Sequence, residues 1–319
     1  MPELHLSRSR LLAASVAAVT MAQRPLVAQE LQKVRLAGSP DDALTPVIWA
    51  IHSGLYRNAG LDVEYVPTRS GTIATTAVIT GTYELGKGSA VASLVAHLRN
   101  LPLWIIGNGV MWDPKAPSTL SVVAADSPYQ RPRDLNGKLG GVAALNDIDQ
   151  LVVSLWVDKD GGDSKSIKWV EIPNSAVAEA LAQHRIDIAG IQEPLFTEGV
   201  AAGKIRPLAG GRSYSVIAPS FAISVYFTNK DFAQAHPEVV RSFMRVTYES
   251  AKYTNVHHAE TEQLMSDFTK IPIDIMRKIN RPPGATVGDP AFLQPVIDFA
   301  AKYGNIARAF PAKEAYFSA

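Results

Sequence analysis

The chain has no cysteine in 319 residues. That excludes disulfides, thiol nucleophiles, iron–sulfur clusters, Cys-bearing zinc sites and an acylated cysteine anchor. It leaves the compartment open, because a chain without thiols suits either redox environment. Charge is also scarce: Lys, Arg, Asp and Glu make up 19% of residues, and 31 basic against 30 acidic side chains give a net +1. A nucleic-acid binder normally carries a strongly basic balance or patch, so no nucleic-acid partner is expected. No apolar run reaches the length needed to span a bilayer, roughly eighteen residues. Three catalytic signatures are missing as well: the G-x-S-x-G elbow, the G-x-x-x-x-G-K-[ST] phosphate loop and H-E-x-x-H. What remains is an ordinary globular composition, 47% hydrophobic. Its length suggests two domains at roughly 100–200 residues each.

The N-terminus speaks to compartment. Arg8 and Arg10 precede a small-residue apolar run over 11–22, broken by Gln23-Arg24-Pro25. Twelve residues are too few for a membrane span but suit a signal-peptide core, with cleavage after Ala22 or Ala28. Ser7-Arg8-Ser9-Arg10 is near a twin-arginine signal, but its arginines are separated, so the export route stays open. Loss of residues 1–28 removes three arginines and one glutamate, leaving 28 basic against 29 acidic groups, net −1. A soluble, exported protein without a lipid anchor is expected.

After Glu30 the chain alternates β-type runs with helical periodicity. Val34-Arg35-Leu36-Ala37-Gly38 reads as a strand ending in the turn Ser39-Pro40-Asp41-Asp42. A helix then passes Val47, Ile48 and Ile51, and 61–66 is a strand. Gly71-Thr72 opens a helix with Ile73, Ala77 and Val78 on one face. Tyr83-Glu84-Leu85-Gly86 is a short strand, 89–97 a helix and 103–107 a strand. The pattern restarts with a strand over 138–143, a helix over 146–157 and a strand over 167–172. Ser175 is placed to cap the next helix, and Ile186-Asp187-Ile188-Ala189 follows as a strand. Strand and helix alternating at this spacing predict α/β architecture with parallel-rich sheets flanked by helices.

At an offset of 103 residues, Gly71-Thr72-Ile73 lies over Asn174-Ser175-Ala176, and Tyr83-Glu84-Leu85-Gly86 over Ile186-Asp187-Ile188-Ala189. Two lobes of like construction are expected. Alternating runs at 119–124 and 221–227 are read as two connections making a hinge. The expected division is a leader over 1–28, lobe one over 29–124 and 219–319, and lobe two over 125–218. Pro237 starts a helical C-terminal region in which Val240, Phe243, Thr247 and Ala251 form a buried stripe. A second helical segment over 271–279 stops at Arg281-Pro282-Pro283-Gly284.

Few residues suggest catalysis. Gly86-Lys87-Gly88-Ser89-Ala90-Val91 begins like G-x-G-x-x-G but has Val at the third glycine, and a tight strand-to-helix turn is its plainer account. His258 and Glu262 stand at i, i+4 beside His257 and Glu260, but no third ligand is visible, so a solvated helix face is expected rather than a metal. Lys87 is a conceivable Schiff-base lysine, and His52 a conceivable chemical group; a salt-bridged or structural role is the plainer reading of the lysine. Trp49 and Trp104 read as core, whereas Trp112 follows a strand and is placed at the edge of a cleft. Small polar residues recur after strands: Asp41-Asp42, Ser70-Gly71-Thr72 and Gly88-Ser89 in lobe one, Asn146-Asp147 and Gln192-Glu193 in lobe two. Ligands of open α/β sheets bind outside the carboxyl ends of the strands, where helix N-termini offer free N–H groups. With Trp112, these positions define the expected ligand-binding cleft; neither a metal nor a cofactor is implied.

The chain resembles the periplasmic substrate-binding proteins of ABC transporters of the nitrate/sulfonate/taurine type, a group that also holds binders of thiamine-pyrimidine precursors. Val34-Arg35-Leu36 and Gly54-Leu55-Tyr56-Arg57-Asn58-Ala59-Gly60-Leu61-Asp62-Val63-Glu64 carry the resemblance. Ser70-Gly71, Gly81 to Gly86, Asp134 to Lys138 and Gln192-Glu193-Pro194 follow in the family's order. The resemblance spans about residues 31–255. It implies a two-lobed type II periplasmic-binding fold with a two-strand hinge, a monomer that closes on a small-molecule solute and delivers it to a permease in the inner membrane. It places solute contacts at Ser70, Gly71, Gly88, Ser89, Asn146, Asp147 and Glu193. Gln192 departs from the family's usual aromatic before Glu-Pro. Asp41 and Asp42 would repel a bare anion, so a solute with N–H donors or a cationic centre suits them better unless they point outward. A fungal pyrimidine synthase of this fold uses a cysteine-rich iron motif, which a chain without cysteine lacks.

Overall fold

A computed structural model describes residues 30–318, so the expected leader lies outside the described residues. Strands β1 (Gln32–Gly38), β2 (Leu61–Pro67), β3 (Leu85–Ser89) and β4 (Leu103–Asn108) alternate with α1 (Thr45–His52), α2 (Leu55–Asn58), α3 (Gly71–Ile79) and α4 (Ala90–Leu98). After β5 (Thr119–Ala124) come β6 (Leu139–Val142), α5 (Ile148–Lys159), β7 (Lys168–Glu171), α6 (Asn174–Ala182), β8 (Ile188–Gln192), α7 (Leu195–Ala201) and β9 (Ile205–Pro207). The chain then enters β10 (Ser224–Asn229) and ends in α8 (Lys230–Ala235), α9 (Pro237–Thr254), α10 (His258–Thr269), α11 (Ile273–Met276) and α12 (Gln294–Lys302).

The strands form two mixed sheets, ordered β2-β1-β3-β10-β4 and β7-β6-β8-β5-β9. In each, three parallel strands are followed by one antiparallel strand, β10 in the first and β5 in the second. The two sheets are thus built alike. The 103-residue offset relates α3 to α6, 71–79 against 174–182, and β3 to β8, 85–89 against 188–192.

Burial explains most elements. One face of the first sheet packs Leu36, Val47, Tyr56 and Leu85 against Phe243 and Met244 of α9. The other packs Leu94 of α4 against Val296 and Ile297 of α12, and that core continues through Trp112, Tyr214 and Phe221 to Ile148 and Leu151 of α5. The second sheet has its own apolar layers, one against α6 and one beneath Val153 and Val157 of α5. In α9 the expected stripe Val240, Phe243, Thr247 and Ala251 is buried.

Several local expectations shift. β3 starts at Leu85, not Tyr83, because Glu84 turns aside to pair with Arg35 at 2.6 Å and accept its backbone N–H. β8 likewise starts after Asp187, whose carboxylate accepts from Leu139 N–H and Tyr129 Oη. Gly86 to Ser89 is strand rather than turn; a Cβ at Gly86 would lie 2.2 Å from the buried Phe227 ring, which only glycine admits. On α3, Ala74, Thr75 and Val78 face the core and Ile73 is exposed. Pro173, not Ser175, precedes α6. In 271–279 only the turn α11 is helical. Trp49 and Trp104 are half-buried while Trp112 is 1% exposed, the reverse of the sequence reading. β5 belongs to the second sheet, pairing with β8 and β9, so the chain changes sheets within 109–118, ahead of the expected boundary at 124.

Candidate functional site

The carboxyl ends of the parallel strands lead into the N-termini of α3, α4 and α5. Ser70 caps α3, its Oγ accepting from Ile73 N–H at 3.3 Å. Asp147 caps α5, its Oδ1 accepting from Ile148 N–H at 2.7 Å. The same oxygen accepts from Ser89 Oγ at 2.6 Å, so the end of β3 in one sheet touches the start of α5 beside the other. Gly71 and Gly88 bring two backbones together: a Cβ on Gly71 would stand 3.0 Å from Gly88 Cα. Ser70, Gly71, Gly88, Ser89 and Asp147 therefore form one neighbourhood. Asn146 adjoins it in the left-handed region, φ 62°, with its N–H on Gln150 Oε1. Thr72 is exposed on the first turn of α3.

The first loop differs from the sequence expectation. Asp42 is buried and pairs with Arg281 at 2.6 Å; Arg281 also donates to Thr45 Oγ1 at 2.9 Å and Thr261 Oγ1 at 3.2 Å. Asp41 pairs with buried Lys87 at 3.4 Å. Each carboxylate of the loop thus has a cationic partner, and repulsion of an anion by bare Asp41 and Asp42 no longer follows. Lys87 takes the salt-bridged role. Arg281 was not identifiable from sequence: it lies 239 residues from Asp42, in a stretch that reads only as a helix stop.

The lobe-two side is more acidic. Burial raises the Asp147 carboxyl, against the lowering effect of Ser89 and the Ile148 N–H. Asp149 is raised by burial to about 6; it accepts from Tyr214 Oη and lies against Gly190, where a Cβ would approach it to 2.7 Å. Glu193 is raised by burial as well, although Thr197 donates to it at 3.0 and 3.1 Å and Asn280 N–H at 3.4 Å; the Asp42 charge adds to the rise. Gln192 is exposed at the end of β8. Trp112 does not stand open at a cleft edge: it stacks on Tyr214 at 5.2 Å, and its indole N–H has no partner among the described residues. It also lines a cavity of about 380 Å³ beside the crossovers, with Met111, Pro219 and Pro283.

Among the described residues no group of three metal-ligating side chains converges. His257 Nδ1 lies 2.8 Å from the Tyr253 carbonyl, and Glu262 pairs with Arg277 at 3.2 Å. No helix among the described residues is long and apolar enough to cross a membrane.

Known structures share this architecture. The periplasmic aliphatic sulphonate binding protein SsuA from Escherichia coli superposes with a TM-score of 0.72 at 16% identity, over 90% of this chain and 92% of that one. The alkanesulfonate-binding protein SsuA from Xanthomonas axonopodis pv. citri, bound to MOPS, gives 0.74 at 17% identity, over 91% and 99%. The periplasmic nitrate-binding protein NrtA from Synechocystis PCC 6803 gives 0.73 at 12% identity, over 89% and 84%. The fold is therefore the two-lobed periplasmic-binding type expected from the resemblance. No curated protein sequence matches the chain. A family model described as NMT1/THI5 like matches residues 42–261. With well over half its length matched, the chain belongs to the NMT1/THI5-like family.

Proposed function

We propose that the chain is the extracytoplasmic solute-binding component of an ABC importer, a monomer that holds one small polar solute between its lobes by hinge closure and hands it to an inner-membrane permease. The Ser89–Asp147 contact carries this reading, since it brings strand ends of both sheets to one place. Lobe one takes the first sheet, lobe two the second, and segments 109–118 and 217–223 form the hinge. Closure requires a solute that binds the closed arrangement better, so both lobes must touch it. Ser70, Gly71 and Thr72 hold it from one side, with Asn146, Asp147 and Glu193 on the other. The leader over 1–28 is cleaved on export to the periplasm.

A solute of the sulfonate, nitrate or taurine class is favoured by the neutralised first loop and by the N-termini of α3, α4 and α5. A solute rich in N–H groups, such as a pyrimidine-type thiamine precursor, is favoured instead by Asp147 and Glu193, whose partners are hydroxyls and N–H groups rather than cations. The role is binding without turnover, and the pairing of Lys87 with Asp41 supports it over Schiff-base chemistry. A calorimetric screen of sulfonates, nitrate, pyrimidines and small carboxylates tests the reading. One-site binding within a single class is expected; turnover, or no binding to any solute, counts against it.

A further inference from the structure

Arg281-Pro282-Pro283-Gly284 marks only a helix stop in sequence, and it lies outside the stretch matched by the family model. In the structure it belongs to a strap pinned to the first lobe at several points. Ile279 is buried in the apolar layer beneath α9. Arg281 binds Asp42, Thr45 and Thr261. The Pro283 carbonyl accepts Met111 N–H at 3.0 Å, and Gly284 exchanges hydrogen bonds with Asn255 at 2.9 and 2.8 Å.

Between these anchors Asn280 faces the other way. Its backbone N–H donates to Glu193 Oε1 at 3.4 Å, and its Nδ2 donates to the Pro117 carbonyl at 3.3 Å. Glu193 follows β8 and Pro117 precedes β5, both strands of the second sheet. A pinned piece of lobe one thus reaches lobe two at Glu193, a carboxyl assigned to the solute, and the first hinge segment at Pro117.

We propose that Asn280 is a positioning residue for capture: the strap fixes the Glu193 carboxyl and biases the two lobes toward the closed arrangement. The inference rests on the binding reading above, but lobe geometry can be measured with no solute present. The native absence of cysteine makes the labelling unambiguous. Val200 on α7 and Val256 after α9 are 42% and 74% exposed, one on each lobe. Spin labels on V200C/V256C of the full chain report their separation in this background, with N280A and with N280A/E193A.

Two long hydrogen bonds, in the lower half of the usual net strength, together correspond to about a tenfold shift in a two-state ratio. The double variant is therefore expected to raise the long-distance population about tenfold relative to the short one, and N280A to raise it by less. An unchanged distribution in both variants would overturn the proposal, for it would mean that Ser89–Asp147 and the apolar seam hold the lobes alone. Circular dichroism confirms folding, and if the double variant is unfolded, E193A alone, which removes the acceptor of the Asn280 backbone N–H, decides. Opening in the variants of a chain that binds no solute would support the strap while counting against the transport reading.

Discussion

Arg281 and Asp149 show how much single buried charges decide here. The Asp42–Arg281 pair is 2% and 6% exposed at its side chains. Removing one partner of such a pair leaves an uncompensated buried charge, at a cost of about 3–5 kcal/mol. Arg281→Gln should lower stability by that order in urea unfolding. Lys33→Ala, which removes the largely exposed partner of Glu64, should cost less than ~1 kcal/mol. Equal effects of the two substitutions would contradict the account. The pair was not legible in sequence because its members are 239 residues apart and neither local pattern points to the other. Asp41 and Asp42 themselves were legible as a polar turn after a strand; their neutralisation by Lys87 and Arg281 was not.

Asp149 gives a pH dependence with a definite sign. Burial lifts its carboxyl to about 6, so the folded chain holds this proton more tightly than the unfolded chain does. Its contribution is full below the ordinary carboxylate range, near ~4, and is lost as pH rises through about 6. Between pH 4 and 7 the wild type should lose up to ~3 kcal/mol relative to Asp149→Asn, read from paired urea midpoints. Parallel pH profiles for the two proteins would show that Asp149 ionises as an ordinary surface carboxyl. The sequence reading put Asp147 among the polar residues that follow strands; nothing local placed Asp149, two residues on, against Gly190 of β8.

At the scale of elements, periodicity located β1 to β8 and most of the helices between them, left α2, α7, β9, α8 and α12 without ranges, and misplaced some edges. Two of the errors share a physical cause: side chains that fit a strand pattern were recruited by partners distant in sequence. Glu84 turns to Arg35, and Asp187 to Tyr129 and Leu139 N–H, so β3 and β8 each begin later than their apolar alternation suggests. Ile73 fits a helical stripe but falls outside it, since Ala74 and Val78 are the residues that meet the core. The glycines of β3 are another case. Gly86 looked like turn chemistry, yet it is needed because Phe227 of β10 lies against the strand. Gly86→Ala should therefore cost about 1–3 kcal/mol through overpacking, measured by thermal unfolding. Gly54→Ser, at an α2 cap with φ 75° and open space around it, would act through backbone strain alone and serves as the comparison.

For the whole molecule, the 103-residue offset was the most informative sequence feature, because it names the unit that is built twice. Each unit contributes three parallel strands, and each is joined by one antiparallel strand: β10, which the chain reaches after leaving the second sheet, and β5, which directly precedes β6. The chain crosses between the sheets twice, from β4 to β5 and from β9 to β10. Alternation alone did not say which sheet β5 joins, because a fully buried strand reads the same in either. Most of the expected cleft residues fall into three groups in space. Ser70, Gly71, Gly88, Ser89 and Asp147 adjoin one another; Asp41 and Asp42 are engaged by cations; Glu193 is reached by the strap. Trp112 is packed behind them on Tyr214.

Calorimetric titration of the full chain with the four solute classes tests the central claim most directly. The account predicts a single site that saturates at one solute per chain, in one class only, weakened at least tenfold by Ser89→Ala combined with Asp147→Asn. Binding that the double variant leaves unchanged, or no binding in any class, would contradict it.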